Sequence, residues 1–477
     1  MAWEIIVNSV NTFNSVVIGY YILVNGLYTF LLLISLSAAV NHLHKVRYRV
    51  PARSLAARSV PPISILMPAY NEVATIVEAI RSLLDLSYPD YEIVVINDGS
   101  TDQTLKTLVE EFGLTPVERI YRRILPSIGP VRYFYINPQF SRLIVVDKEH
   151  SGKADSLNVG INIARNPYFC SVDADTLLEK DALLRLVGPI LEDPDRIVAC
   201  GGIVRIANGC MIEKGQVIKV DLPKEASVNF QVVEYLRSFL FGRAGWSSLN
   251  SLLVISGTLS MFHKKTIQKV GGYNNRTVTE DMELVVRLHR VLKEHRQRYR
   301  IVFINDPIAW TVAPRNLRML SRQRQRWHKG LAGSLFAHWR MFLNPHYHQI
   351  GLLAMPAYAV IELLGPVVEL AGYFTVGLAY FMGILDFRFF MLFLLLAILY
   401  GVFLSVGSVL LSEITYRRYP SLSNLFQLVI YGILENFGYR QLNAWWKLKG
   451  IWQFLLNNHK KTWEHLEKFG FETIKQH

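Results

Sequence analysis

Along the 477 residues, long apolar runs enclose a middle region where short β-branched runs alternate with helical periodicity. Residues 15–41 are almost uncharged, long enough at ~1.5 Å per residue to cross about 30 Å of hydrocarbon as one helix. Lys45, Arg47, Arg49, Arg53 and Arg58 follow, so 42–60 is a basic linker. The positive-inside tendency puts that linker and everything up to about His346 in the cytoplasm, with 1–14 outside. A membrane region is expected over 347–438. Its first part, 350–385, is broken by Pro356 and Gly365-Pro366 and carries Glu362 and Glu369. Carboxylates are costly at the bilayer centre, so the pattern predicts an interfacial helix and then a span over about 366–384; the two acids read either as parts of a conduit or as carboxylates snorkelling to the interface. Residues 389–411 form a cleaner span that returns the chain inside at Arg417-Arg418. Residues 422–437 fit a further span or a surface-lying helix. The basic aromatic tail 439–477, with Trp445, Trp446, Lys447, Lys449 and Trp452, favours the surface form.

Within 61–346 the strands read 63–67, 92–97, 143–147, 169–173 and 197–203. Apolar runs of this length alternating with helices predict an α/β domain whose parallel sheet is covered on both faces. Three strands run into polar loops: Pro68-Ala69-Tyr70-Asn71-Glu72, Asp98-Gly99-Ser100 and Asp173-Ala174-Asp175. Ligands of open α/β sheets bind just beyond the carboxyl ends of strands, so these loops should share one crevice. Residues 121–140, rich in Arg, Tyr and Phe, interrupt the alternation and read as an inserted loop that could rest on lipid.

Composition narrows the partners. The net charge is +13, but the basic residues cluster beside the apolar runs and no nucleic-acid reading motif is visible, so no nucleic acid is expected. Cys170, Cys200 and Cys210 lack CxxC or CxH spacing and read as buried thiols. Residues 1–17 hold Glu4 and no Lys or Arg, which argues against a secretory signal.

Three clusters then suggest a reaction. Asp173 and Asp175, one residue apart at a strand end, are suitable oxygen ligands for a divalent cation on a nucleotide diphosphate. Asp281 in Thr279-Glu280-Asp281 is the candidate base for an acceptor hydroxyl. In Gln323-Arg324-Gln325-Arg326-Trp327, helical spacing puts Gln323, Arg326 and Trp327 on one face, joining a phosphate-gripping guanidinium to a sugar-stacking indole. Each cluster also has a plainer reading. Thr176 with Glu179 and Thr277 with Glu280 have capping-box spacing, Asp98-Gly99 is a turn signal and Asp155 could cap a helix. The Arg-rich helix around 315–329 could face lipid headgroups, with Trp327 an interfacial anchor. The plain readings must hold separately, whereas one metal-assisted sugar transfer from a nucleotide explains all the clusters together.

At these residues, over about 61–330, the chain resembles the membrane-integrated family 2 glycosyltransferases, which include cellulose, chitin, hyaluronan and poly-N-acetylglucosamine synthases. The resemblance implies a GT-A, Rossmann-like cytoplasmic glycosyltransferase domain flanked by transmembrane helices. It implies that Ala69, Tyr70, Glu72, Asp98 and Asp155 hold the uridine of a UDP-sugar, with Lys153 and Asp173 beside it. Mg²⁺ or Mn²⁺ would sit on Asp173 and Asp175. Asp281, next to Glu280, would be the base of an inverting displacement. Gly257 and Thr258 would line the acceptor side, and Gln323, Arg324, Arg326 and Trp327 would close on pyrophosphate and acceptor. The implied activity is transfer of a hexose or N-acetylhexosamine to a growing glycan at the cytoplasmic face of the cell membrane. Implied partners are the bilayer, a glycan or lipid-linked acceptor, and an export partner or second copy. The rival readings are single addition to a lipid acceptor and an inactive export or scaffold component. Polymer-secreting relatives use more crossings than the three or four found here.

Overall fold

The computed structural model describes residues 2–48, 60–416, 421–456 and 470–471. Arg49, Arg53, Arg58, Arg417, Arg418 and most of the tail beyond 456 lie outside the described residues. The chain divides into two compact units. One comprises Met1–Val40, Glu225–Gly245 and Arg315–Lys460; the other comprises Asn41–Lys224, Trp246–Pro314 and Lys461–His477. The helices Ala226–Arg237 and Leu317–Ala337 therefore assort with the apolar helices, whereas the sequence reading counted them in the sheet domain.

The second unit is built on a ten-stranded sheet in the order β3-β4-β5-β2-β1-β6-β11-β8-β12-β7. Its strands are β1 (Ile63–Ala69), β2 (Tyr91–Asp98), β3 (Thr115–Val117), β4 (Val131–Ile136), β5 (Leu143–Lys148), β6 (Tyr168–Val172), β7 (Thr176–Leu178), β8 (Ile197–Ile206), β11 (Leu259–His263) and β12 (Arg300–Thr311). A separate hairpin pairs β9 (Met211–Glu213) with β10 (Gln216–Lys219). All five expected strands are present. β5, β2, β1 and β6 are mutually parallel. Ile65, Leu66, Val94, Val95 and Ile96 are fully buried, as expected where helices cover both faces of a parallel sheet.

The sheet as a whole is mixed, which corrects the all-parallel expectation. β11 runs antiparallel between β6 and β8, β7 antiparallel to β12, and β4 antiparallel to β5. These strands are short or irregular in the sequence and carry no alternation long enough to stand out. Residues 121–140 are likewise only partly loop, because Val131–Ile136 is paired as β4. Thr176–Leu178 is a strand, which removes the capping-box reading of Thr176 and Glu179.

Among the described residues of the first unit two helical stretches are long and apolar enough to cross a membrane, Trp3–Ser37 and Phe387–Ile414. The helix that carries the first begins at Ala2, earlier than the apolar run suggested, with Glu4 in its first turn where the helix dipole favours an anion. Ile350–Leu363 and Gly365–Phe381 form a pair bent by 42° at the Gly365-Pro366 break. Proline lacks the N–H that would continue the helix through that point. Leu422–Leu434 has 13 residues and rises about 20 Å at 1.5 Å per residue, short of the hydrocarbon thickness. Glu362 and Glu369 are partnered inside this unit and do not snorkel. Glu362 accepts from the Tyr28 hydroxyl at 2.9 Å, and Glu369 pairs with Arg440 at 3.0 Å.

Candidate active site

The loops after β1, β2 and β5 are tied to one another before any ligand is considered. Asn71 sits in the left-handed region at φ +56, tolerable because its side chain can serve the backbone in place of a turn. Its Oδ1 accepts from the N–H groups of Thr101 at 2.8 Å and Asp102 at 3.2 Å. The Glu72 N–H donates to Thr104 Oγ1 at 2.8 Å, and the buried Glu72 carboxylate accepts from the Thr75 hydroxyl at 3.2 Å. Ala69 is the buried last residue of β1. Tyr70 follows it and faces the half-exposed His150 ring, with centroids 4.3 Å apart and planes inclined by 32°. No sequence motif singles out His150. Its only signal was its place between the end of β5 and Gly152-Lys153.

Behind these rings lies a closed ionic network centred on Lys148, the last residue of β5. Its side chain is fully buried, with Nζ 2.6 Å from Asp98 and 3.1 Å from Asp155. Nζ also donates to the Glu149 carbonyl and to Ser151 Oγ. Asp98 accepts from the N–H groups of Ser151 at 3.1 Å and Gly152 at 2.8 Å. Asp155 accepts from Ser151 Oγ at 2.5 Å and from the N–H groups of Ile128 at 2.7 Å and Gly129 at 3.2 Å. Burial pushes the Asp155 carboxyl up, but these hydrogen bonds and Lys148 outweigh it and hold it below the usual carboxylate range. Gly129 is required by close approach, because a Cβ there would lie 2.4 Å from the Glu149 carbonyl oxygen and 2.8 Å from Lys148 Nζ. Asp155 is thus neither a helix cap nor open to a nucleotide, since Gly152 holds the N-cap position and protein donors surround the carboxylate.

A second lysine, five residues on, meets the acids of the sequence clusters. Lys153 opens the helix Lys153–Ile163, and its Nζ lies 2.6 Å from Asp173 and 3.3 Å from Glu280. Burial pulls the ammonium down, but Asp173, Glu280 and Asp281 outweigh it and raise it above the ordinary lysine range. Asp281 lies in the first turn of Glu280–Glu294, and its carboxyl accepts from the Met282 N–H at 2.8 Å. Burial and then Glu280 raise it above the usual carboxylate range, against the pull of Lys153. Thr279 occupies the N-cap position without a side-chain cap bond, so the capping-box reading of this motif fails too. Antiparallel pairing of β6 with β11 sets Leu259 opposite Val172, which brings Thr258 beside Asp173. The Asp173 N–H donates to the Thr258 carbonyl at 3.3 Å. A Cβ on Gly257 would stand 3.0 Å from Asp281 Oδ2 and 3.3 Å from Lys153 Nζ, so glycine keeps this approach open.

Two residues that the sequence reading missed hold the Asp281 helix in position. The Asn158 side chain donates to the Tyr273 carbonyl at 2.9 Å and accepts from the Tyr273 N–H at 2.8 Å. Arg287 binds Glu283 at 2.9 Å and the Gly272 carbonyl at 2.6 Å. Neither belongs to a motif, and no local pattern sets either apart from the other polar residues of its helix.

Asp173 and Asp175 offer two hard oxygen donors from one loop, suitable for a divalent cation. Asp173 already accommodates a positive charge, the Lys153 ammonium. Among the described residues no cluster of three or more His, Cys, Asp or Glu side chains could by itself hold a metal ion.

Gln323, Arg324, Arg326 and Trp327 lie in the other unit, on Leu317–Ala337, which is N-capped by the Asn316 side chain accepting from Met319 N–H at 2.8 Å. Arg326 is exposed while Gln323 and Trp327 are half-buried, which matches one open face. Gln323 Oε1 is a buried acceptor with no hydrogen-bond partner among the described residues. Arg324 departs from its expected role on pyrophosphate: it is buried, pairs with Glu234 at 2.7 Å and lies 4.7 Å over Trp327. The helical turn points it away from Arg326, so it fixes the helix and its neighbour indole.

The profile of Glycosyl transferase family group 2 matches residues 168–412, and that of Glycosyl transferase family 2 matches residues 64–123. Poly-beta-1,6-N-acetyl-D-glucosamine synthase of Staphylococcus epidermidis is 28% identical over 274 residues, covering 57% of this chain and 55% of the relative. The synthase of Staphylococcus aureus (strain COL) is 29% identical over 270 residues, 56% and 54% of the respective chains. The chain spans about half the length of the curated relatives it matches. Among solved structures, mannosyltransferase PcManGT from Pyrobaculum calidifontis, in complex with GDP-Man and Mn²⁺, superposes with a TM-score of 0.51 at 16% identity, over 92% of this chain and 99% of that one. That likeness concerns the fold, a GT-A arrangement. The chain belongs to glycosyl transferase family group 2.

Proposed function

We propose that this protein transfers a hexose or N-acetylhexosamine from a UDP-sugar to a growing glycan, with inversion, at the cytoplasmic face of a membrane. The observation that carries the reading is the meeting of Lys153, Asp173, Glu280 and Asp281 at the strand ends, beside a glycine that leaves room for a ligand. Distant acids do not converge on one lysine in a merely capped fold. In this reading Tyr70 and His150 flank the base of the nucleotide, and Glu72 takes part in holding the uridine. Asp98 and Asp155 act one layer behind, through the loop 149–152. Asp173 and Asp175 would hold Mg²⁺ or Mn²⁺, which would supply positive charge to offset that of the leaving diphosphate.

The protein's own part begins with Asp281, whose raised basicity suits proton abstraction. As the acceptor oxygen forms its bond to the anomeric carbon, the hydroxyl proton passes to the Asp281 carboxylate. The bond from that carbon to the diphosphate oxygen breaks on the opposite side, its electron pair leaving with UDP. An α-linked donor then gives a β-linked product. Lys153 supports the negative charge of the leaving diphosphate, and Gly257 and Thr258 border the acceptor. Arg326, Trp327 and Gln323 would grip pyrophosphate and sugar from their helix, with the orphaned Gln323 Oε1 accepting from a sugar hydroxyl.

The relatives named as poly-N-acetylglucosamine synthases favour an N-acetylhexosamine and a polymeric product. Single addition to a lipid acceptor uses the same donor site and is separated from polymerisation by product length. Purified Asp281→Asn should lose sugar transfer by about 10²- to 10⁴-fold while binding UDP as tightly as the wild type. Retained turnover would remove Asp281 from its role. Absence of UDP release from the wild type across UDP-glucose, UDP-N-acetylglucosamine and UDP-glucuronate would leave the inactive-scaffold reading.

A further inference from the structure

The segment between β3 and β4 is an irregular stretch whose apolar residues point in two directions. Leu125 is buried in the core, and Asn162 grips the backbone beside it: its Oδ1 accepts from Ile124 N–H at 3.1 Å and Leu125 N–H at 2.8 Å, and its amide donates to the Leu125 carbonyl at 2.9 Å. Further on, Asp155 holds the N–H groups of Ile128 and Gly129. Tyr121 packs edge-on against Phe134 of β4 at 6.0 Å. The backbone is therefore fastened at two places, and a ring contact anchors Tyr121. Along this segment the side chains of Ile120, Ile124 and Ile128, spaced four apart, stand 99%, 51% and 69% exposed.

A loop held this firmly could have turned its isoleucines inward, and polar residues would have served on its outer side. Residues 118–132 also carry Arg119, Arg122, Arg123 and Arg132 against a single acid, Glu118. Among the described residues, Arg119, Arg122 and Arg123 have no carboxylate within ion-pair distance; Arg123 lies 5.7 Å over the Tyr121 ring. Isolated surface isoleucines are ordinary, but three exposed in series and interleaved with guanidinium groups form an amphipathic ridge. Such a surface suits a bilayer interface, where apolar side chains enter the acyl boundary and arginines meet anionic headgroups.

We propose that residues 119–128 dock on the surface of a bilayer rich in anionic lipid. This goes beyond the catalytic reading and rests on the protein residing in a membrane. The test uses the full chain carrying Ile120→Cys, labelled with an environment-sensitive fluorophore and reconstituted in nanodiscs containing brominated acyl chains. The native thiols are buried, and burial pushes Cys170 and Cys200 up, Cys200 to about 12, so labelling is selective. In phosphatidylglycerol discs the bromines should quench the label by about twofold or more, and aqueous iodide should barely reach it. Phosphatidylcholine discs, or replacement of Arg119, Arg122 and Arg123 by Gln, should weaken the quenching. Lys106→Cys, on an exposed helix of the same unit, should stay open to iodide in both lipids. A label at position 120 quenched by iodide alone overturns the proposal, as does one shielded from both quenchers, which would mean a protein partner. Equal bromine quenching in the two lipids would overturn the anionic preference. A chain that fails to enter nanodiscs at all would instead refute the membrane reading on which the ridge depends.

Discussion

Lys148 and Lys153 stand five residues apart, and each joins two or more acids brought together from distant parts of the chain, yet their surroundings differ. Lys148 has no exposed side-chain surface, and backbone and hydroxyl groups complete the shells of its acids. Lys153 keeps 14% of its side chain open, beside a part-open Asp173 and a glycine that leaves space. A closed network can only hold shape, because every lone pair is already spent on the protein. An open one can exchange partners, and in the proposed function diphosphate and cation would take over what the acids and the lysine now give each other. Similar charges thus form a closed frame in one place and an open candidate site in the other, and solvent access makes the difference.

The contrast breaks most directly at its buried side. Lys148→Met leaves Asp98 and Asp155 buried without their shared cation, and the loss expected for a broken buried pair is about 3–5 kcal/mol. Chemical denaturation of the detergent-solubilised protein should register it, whereas Lys153→Met should cost far less stability and chiefly weaken donor binding. Comparable stability losses in the two variants would erase the distinction.

Next in size is Asp173→Asn. It removes one of two candidate cation ligands and the strongest partner of Lys153, so turnover should fall roughly a hundredfold, with a higher requirement for Mn²⁺ or Mg²⁺. Titrating activity against metal concentration tests this, and an unchanged metal optimum would count against the assignment. Gly257→Ala puts a methyl group against Asp281 and Lys153, and a roughly tenfold loss in kcat/KM for the acceptor is expected, with UDP affinity preserved.

The smallest effect concerns pH. Asp281 must be ionised to accept a proton, and burial and then Glu280 raise it, so the acid limb of the rate profile should lie above the usual carboxylate range. Glu280→Gln removes a neighbouring negative charge and should move that limb to lower pH. Lys153→Met removes the opposing positive charge and should move it to higher pH. A limb that stays put in both variants would mean that another group sets it.

The amino-acid sequence determined five strands of the sheet, three of them leading into the polar loops, the apolar runs, the break at Gly365-Pro366 and the residue types of the candidate site. Each of these rests on local pattern: periodicity, turn residues and chain chemistry within a few positions. It also placed Gln323, Arg326 and Trp327 on one helical face, because that follows from 3.6 residues per turn. It did not separate Asp98 and Asp155 from Asp173 and Asp281, since all four are acids near strand ends or helix starts. Only the tertiary structure decided that the first two are enclosed around Lys148 while the others meet at Lys153. It likewise decided that Arg324 turns to Glu234, that His150 faces Tyr70, and that β11 enters antiparallel to carry Thr258 to Asp173. Burial and partnership depend on segments a hundred or more residues apart coming into contact, as Lys153 and Glu280 do, and no local pattern encodes which segments will meet.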